Sequence, residues 1–354
     1  MKKYMVKSIM QTHLSQNEMI NFGSYYTPSK LVNFAYILLK NNVENFQKYT
    51  LLDNSCGYGE FLKFDTLNKK VGADIDNGAI KNLTIKKKFV VNALNNPSRS
   101  SYNIRDDEKL IIVGNPPYND ITSQIKKGVK KLDFIIDNEL RTRDIGISFL
   151  RSYVKLSPDY ICILHPLSYL IKQSNFNLLR DFKSCYKLVD GLVVSSSYFK
   201  KGIEFPIIIA FYERGSMSFD YIKNFIFEVE NGKKFKINNF DFIGNYLNKY
   251  PQKNVKNPIG YFYTIRDINA LKRNKTFLKE KCPNAITIEK DQLPYYHYVN
   301  LFKTYTKYVP FWYGNLDIFI DNNFFINHID EFVKSSISGN ISKVVDDYFR
   351  RIIC

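Results

Sequence analysis

Asn115-Pro116-Pro117-Tyr118 closes an apolar run at 111–113 followed by Gly114, and its residue types are unusual for a simple turn. Two prolines fix the backbone and carry no N–H, so the Pro116 carbonyl stays open as an acceptor beside the Asn115 side-chain oxygen. Two acceptors placed around one amine hold both of its hydrogens, favour a tetrahedral nitrogen and aim its lone pair outward. Tyr118 adds an aromatic face. This is equipment for an amine whose lone pair is delocalised into a ring. Taken alone, the tetrapeptide also suits a proline-stiffened turn without chemistry.

A second constellation lies upstream. Leu51 and Leu52 run into Asp53, and Cys56-Gly57-Tyr58-Gly59 follows before an apolar stretch. Glycines let backbone approach a ligand closely, and a run at 71–73 ends in Asp74, placed to accept from a ribose diol. Together these describe a site for an adenosine-type cofactor. The third glycine of a dinucleotide fingerprint is missing, because Leu62 stands in its place, and no Walker A loop occurs. An acid ahead of the glycines suits a ligand's ammonium better than a pyrophosphate, which it would repel.

The elements that must hold these residues read as alternating strands and helices. Apolar runs at 51–53, 70–74, 109–114, 160–164, 187–194 and 205–212 are strand-length, while 29–41 and 146–156 space their apolar residues as helices do. The expected fold class is α/β, a Rossmann-like sheet with helices on both faces. After 215 the pattern gives way to short runs, many aromatics and turn clusters, so a catalytic domain at 1–215 and a smaller one at 216–354 are expected.

Lys and Arg total 51 against 34 Asp and Glu, a net charge of +17 that suits a polyanionic partner, although a lysine-rich codon bias would raise it too. Residues 216–354 hold 20 basic and 14 acidic residues, and 251–290 alone hold 9 and 3, so that window carries the whole excess. Lys272, Arg273 and Lys275 sit at its centre, and Lys126 and Lys127 lie just beyond the tetrapeptide. Both groups are candidate phosphate contacts. Five scattered cysteines show no metal-ligand spacing, the four histidines are isolated, and no apolar run reaches membrane-spanning length. A cytoplasmic protein without a metal or a membrane partner is expected.

The Asp53-to-Phe61 loop, Gly114 and the tetrapeptide resemble the amino-methyltransferases that act on DNA bases. The order Thr27-Pro28, acid-glycine loop, Asn-Pro-Pro-Tyr resembles their gamma class, and 157–166 and Tyr198-Phe199 resemble its later motifs. The resemblance covers roughly residues 20–213. It implies S-adenosyl-L-methionine as cofactor, with Thr27, Asp53, Cys56, Gly57, Gly59, Asp74 and Asn92 around it. Asn115, Pro116 and Tyr118 would handle the N6 amino group of an adenine flipped out of double-stranded DNA, with Phe199 stacking on the base. Transfer would be direct, so Cys56 is no nucleophile. Residues 216–354 would then recognise the target, and a separate restriction endonuclease would be the natural companion. Two departures stand out: Asn54-Ser55 replaces the usual Pro-Ala, and Asn92 occupies the place of an acid. The rivals are a methyltransferase for a glutamine amide, whose helical domain is expected ahead of the catalytic one, an RNA-adenine enzyme, and a non-catalytic DNA-binding specificity subunit.

Overall fold

Residues 27–118, 135–199, 204–252 and 258–353 are described by a computed structural model of the chain. The apolar runs become strands β1 (Thr50–Asp53), β2 (Lys70–Asp74), β4 (Leu110–Gly114), β5 (Tyr160–Pro166), β6 (Tyr186–Ser195) and β7 (Pro206–Arg214). With β3 (Lys87–Val90), β8 (Phe227–Val229) and β9 (Lys234–Phe235) they form one sheet in the order β3-β2-β1-β4-β5-β7-β6-β8-β9. β1 pairs in parallel with both β2 and β4, and β4 with β5, whereas β7 runs antiparallel to β5 from Tyr160↔Glu213 to Pro166↔Ile207. The fold class is thus α/β with a Rossmann-like sheet. Strand order reverses between β1 and β4, which opens a crevice at their carboxyl ends where such sheets take ligands.

Alternate strand residues point to opposite faces, and every residue of β1 and β4 is buried, so both faces of the central strands are covered. Helix α1 (Ser29–Asn42) buries Leu31, Val32, Ala35, Tyr36 and Leu39, one stripe at helical spacing. The Tyr36 hydroxyl donates to the Phe61 carbonyl at 2.7 Å, tying α1 to the loop after β1. Helix α2 (Asn77–Asn82) follows β2, capped by Asp76, whose carboxylate accepts from the Gly78 N–H at 2.7 Å. Helix α3 (Ile145–Leu156) is capped in the same way by Asp144, which accepts from the Gly146 N–H at 3.0 Å.

The sheet does not stop near 215. β8 pairs in parallel with β6, and among the described residues the first compact unit takes in 27–118, 135–199, 207–222 and 227–234, the second 204–206, 223–226, 235–252 and 258–353. Strands of two or three residues carry no periodicity long enough to be read from sequence. In the second unit, β11 (Gly260–Tyr263) pairs antiparallel with β12 (Phe277–Leu278) and β13 (Ala285–Ile288), while β10 (Asp241–Phe242) pairs with β14 (Phe319–Ile320). Helices α4 (Leu293–Tyr305), α5 (Ile329–Ser338) and α6 (Lys343–Ile353) enclose an aromatic core. The buried Tyr298 meets Phe332 at 5.7 Å and Phe349 at 5.3 Å, and its hydroxyl donates to the Phe319 carbonyl at 2.8 Å.

Candidate functional site

The ends of β1, β2 and β4 bring together most of the residues that the motifs single out. Register pairs Asp53 with Gly72 and Leu52 with Ile112, so the loops after the three strands leave side by side. The Cys56 N–H donates to the Ala73 carbonyl at 3.0 Å and the Gly57 N–H to the Asp74 Oδ2 at 2.8 Å, which fastens the first loop to the end of β2. Gly57 and Gly59 take φ values of 48° and 75°, backbone that other residues adopt only with strain. At Gly59 a side chain would also run into Leu83.

Asp53 is 2% exposed, and its Oδ1 accepts one hydrogen bond, from the Ser55 N–H at 3.2 Å. Burial pushes its carboxyl up to about 8; the Ser55 bond works against this, and the nearby Asp74 adds to it. Asp74 accepts from Gly57 on one oxygen and from the Asp76 N–H at 3.0 Å on the other, which leaves lone pairs for hydroxyl donors. Its own titration is raised by burial, opposed by those backbone bonds. Burial, with Asp53 and Asp74 adding, pushes the Cys56 thiol up, so it stays protonated near neutrality.

Gly114 joins this acid to the tetrapeptide. Its φ is +146°, and a Cβ there would lie 2.7 Å from the Asp53 Oδ1. Gly114→Ala is therefore expected to lower the unfolding free energy by about 1–3 kcal/mol, a strained backbone and a clash with a buried carboxylate together. Urea denaturation checks this, and a variant as stable as the parent removes the close approach. Past Gly114, the Asn115 Nδ2 donates to the Oγ1 of the buried Thr27 at 3.2 Å. The Asn115 Oδ1 is buried and meets no donor among the described residues. Pro116 is buried and Tyr118 half-buried.

Other candidates lie elsewhere. The Asn92 Oδ1 accepts from the Leu94 N–H at 3.0 Å and its Nδ2 donates to the Ile135 carbonyl at 2.7 Å, so its amide already serves the chain's own turn. Phe199 is half-buried, its N–H bonded to the Ser196 carbonyl at 3.0 Å. The preceding Tyr198 donates to the Glu230 carboxylate at 2.6 Å and receives the Lys30 ammonium at 2.6 Å. Lys126 and Lys127 lie outside the described residues. Lys272 is half-buried and burial lowers its pKa, whereas Arg273 and Lys275 are exposed. His165 is a core group: burial lowers its pKa to about 4, and its ring meets the Tyr212 hydroxyl at 2.7 Å. Sequence reasoning missed Gly146, where a Cβ would stand 3.0 Å from the Tyr118 Cβ, so α3 starts hard against the tetrapeptide. No local pattern marks that glycine.

No protein-family model and no curated protein matches the chain. Among solved structures, it is similar to a modification subunit attributed to a type I restriction enzyme of Vibrio vulnificus YJ016, at 15% identity over 60% of this chain and 49% of that one, with a TM-score of 0.40. The methyltransferase subunit of a type I restriction-modification system from Streptococcus thermophilus gives 14% identity over 60% and 49%, with a TM-score of 0.36. The M protein of the type I restriction enzyme EcoKI gives 16% over 57% and 46%, with a TM-score of 0.37. The chain thus spans about half the length of each of these proteins.

Proposed function

We propose that the protein is an S-adenosyl-L-methionine-dependent methyltransferase that modifies the N6 amino group of adenine in DNA, as the modification enzyme of a restriction-modification system. The observation that carries this reading is the buried Oδ1 of Asn115, which meets no donor among the described residues, on an amide whose Nδ2 is held by Thr27 and which stands one residue beyond the glycine that abuts Asp53. A buried acceptor without a donor costs about 1–3 kcal/mol, and a substrate amine is a donor that would satisfy it.

The residues fit the cofactor. Asp53 has no cationic partner among the described residues and would take the ligand's ammonium, the backbone of Gly57 and Gly59 leaves room for close approach, and Asp74 would accept the ribose hydroxyls. Thr27 would hold the methionine end as well as Asn115, and Cys56 would line the loop. When bound, S-adenosyl-L-methionine supplies an electrophilic methyl group. Asn115 and the Pro116 carbonyl would accept the two amine hydrogens, which localises the nitrogen lone pair and stabilises the positive charge that grows on nitrogen until one of these hydrogens leaves as a proton to solvent water. Tyr118 stacks on the base. Extrusion of that base from a duplex costs a few kcal/mol, and stacking at about 1–3 kcal/mol per base offsets much of it.

Expression in a methylation-deficient bacterial host, followed by single-molecule sequencing of its DNA, is expected to show N6-methyladenine at one recurring short motif. Methylation found in the host's RNA instead, or a modified base other than adenine, would overturn the assignment of substrate. Restriction of unmodified DNA by a nuclease encoded beside the gene is the corresponding sign of the partner.

A further inference from the structure

Three large aromatic residues in succession, Phe311, Trp312 and Tyr313, form a short turn in which none is buried. Apolar groups of this size normally go fully inside, so three in succession that stay half-buried need a reason. Tyr313 is anchored from below, its ring 5.4 Å from Phe235 and 5.2 Å from Phe240. Trp312, the chain's single tryptophan, has ring contacts among the described residues only with its neighbours, Phe311 at 5.2 Å and Tyr313 at 5.9 Å. Just upstream Tyr308 is 53% exposed, with the Lys307 ammonium 4.9 Å from its ring centroid.

Both ends of this aromatic segment are fastened to the basic window. On one side the Thr276 hydroxyl donates to the Asn300 Oδ1 at 2.7 Å, and the Lys303 ammonium donates to the Asn274 carbonyl. On the other the Asn269 N–H donates to the Gly314 carbonyl at 2.9 Å and the Ile268 N–H to the Leu316 carbonyl at 3.1 Å. Gly314 leaves no room for a side chain against the Asn269 amide. The exposed Arg273 and Lys275 therefore sit on a loop bonded at each end to the chain that carries Tyr308 and Trp312.

We propose that Trp312, with Phe311 and Tyr308, is a stacking surface for nucleobases, and that Arg273, Lys275 and Lys307 hold the phosphates of the same strand. The proposal rests on the DNA reading above and adds the place on the second unit where bases are met. Partly exposed rings, one with a lysine over it and the others on a stretch of chain tied to a loop with two exposed cations, match what an unstacked base and its phosphate require, because every base has a π-face and each linkage one negative charge. An apolar protein partner would leave these cations without a counter-charge.

A single tryptophan makes the test direct. The full-length protein is titrated with a 30-base-pair duplex and with one of its strands, with tryptophan emission and the anisotropy of labelled DNA read together. Emission is expected to fall in step with binding, more for the single strand, whose bases are open. Trp312→Ala is expected to weaken binding roughly 5- to 150-fold, the range for loss of one stacked base. Trp312→Phe should restore most of it, and both variants should melt as the parent does. If Trp312→Ala is unstable, the wild-type emission and the phenylalanine variant still decide. DNA binding with unchanged emission and affinity within twofold in both variants overturns the surface and leaves the DNA reading standing. Absence of any DNA binding overturns both. Emission that shifts with protein concentration alone assigns the rings to contact between copies of the chain, and the proposal fails.

Discussion

Asn115→Ala is expected to lower methyl transfer by at least about 10²–10³-fold while cofactor affinity stays within about twofold. The side chain is fixed at both ends of its stem. Gly114 sets the backbone in a conformation with φ of +146°, and Thr27 takes the Nδ2, so the remaining oxygen has one orientation and no donor among the described residues. An acceptor held in advance of the reaction costs nothing to arrange when the amine arrives, and its bond strengthens as positive charge grows on nitrogen. Alanine removes that acceptor and leaves the acid-glycine loop untouched. Asn115→Asp separates the two functions of the amide: it keeps acceptor oxygens but loses the donor to Thr27, so its activity should fall between parent and alanine. Tritium transfer to duplex DNA and calorimetry with the cofactor are the measurements. Turnover near the parent's in the alanine variant would end the role assigned to Asn115, whatever the binding data show.

The parts of the fold that could be read from sequence are those with long, buried, regular runs. β4, β5 and β7 are apolar through most of their length because both faces are covered, the two leucines of β1 run straight into its acid, and α1 and α3 repeat at helical spacing over three turns or more. β3 escaped notice for the opposite reason. Its Lys87, Lys88, Phe89 and Val90 form an edge strand with no residue buried, so no hydrophobic pattern marks it. The extension of the sheet through β8 and β9 was equally hidden, because two- and three-residue strands are made by pairing and not by propensity.

At the site, the acid-glycine loop and the tetrapeptide are local motifs and announce themselves. What joins them is not local. The Thr27 to Asn115 bond spans 88 positions, and the approach of Gly146 to Tyr118 depends on where α3 begins. Nor does sequence reveal that the Asn92 amide is engaged by Leu94 and Ile135, which weakens its claim on a ligand's adenine.

The charge state of Asp53 is the other property that only the assembled site discloses, and it makes cofactor binding strongly dependent on pH. The titratable groups coupled to Asp53 are all acids: Asp74 at the end of β2 raises it further, and its own charge raises Cys56 in the loop, Tyr36 on α1 and Tyr153 on α3. No lysine, arginine or histidine among the described residues offsets them. A buried carboxylate so placed keeps its proton, and burial moves its pKa up to about 8. At pH 7 most molecules of the free protein therefore carry that proton, and a ligand's ammonium must displace it. Affinity for S-adenosyl-L-methionine is expected to rise about tenfold per pH unit from pH 6 toward about 7.5 and to fall again above about 8, where the ligand's own ammonium loses its proton, with most of one proton released per ligand at pH 7. The sign for folding is opposite. Asp53 is protonated in the folded chain and ionised in the unfolded one between about pH 4 and 8, so its contribution to the stability of the free protein is complete below pH 4 and declines by up to about 1.4 kcal/mol per unit across that window. Asp53→Asn cannot ionise. It should bind more weakly at pH 8, show no steep pH dependence, and gain thermal stability over the parent at pH 8 more than at pH 5. Calorimetry in phosphate and in Tris at pH 7 measures the proton directly, because the two buffers take it up with different heats. The heats should differ for the parent with S-adenosylmethionine or S-adenosylhomocysteine, which both carry the ammonium, and agree with methylthioadenosine, which lacks it. Equal heats in both buffers, or an affinity that stays level from pH 6 to 8, would mean that Asp53 is ionised before the ligand arrives.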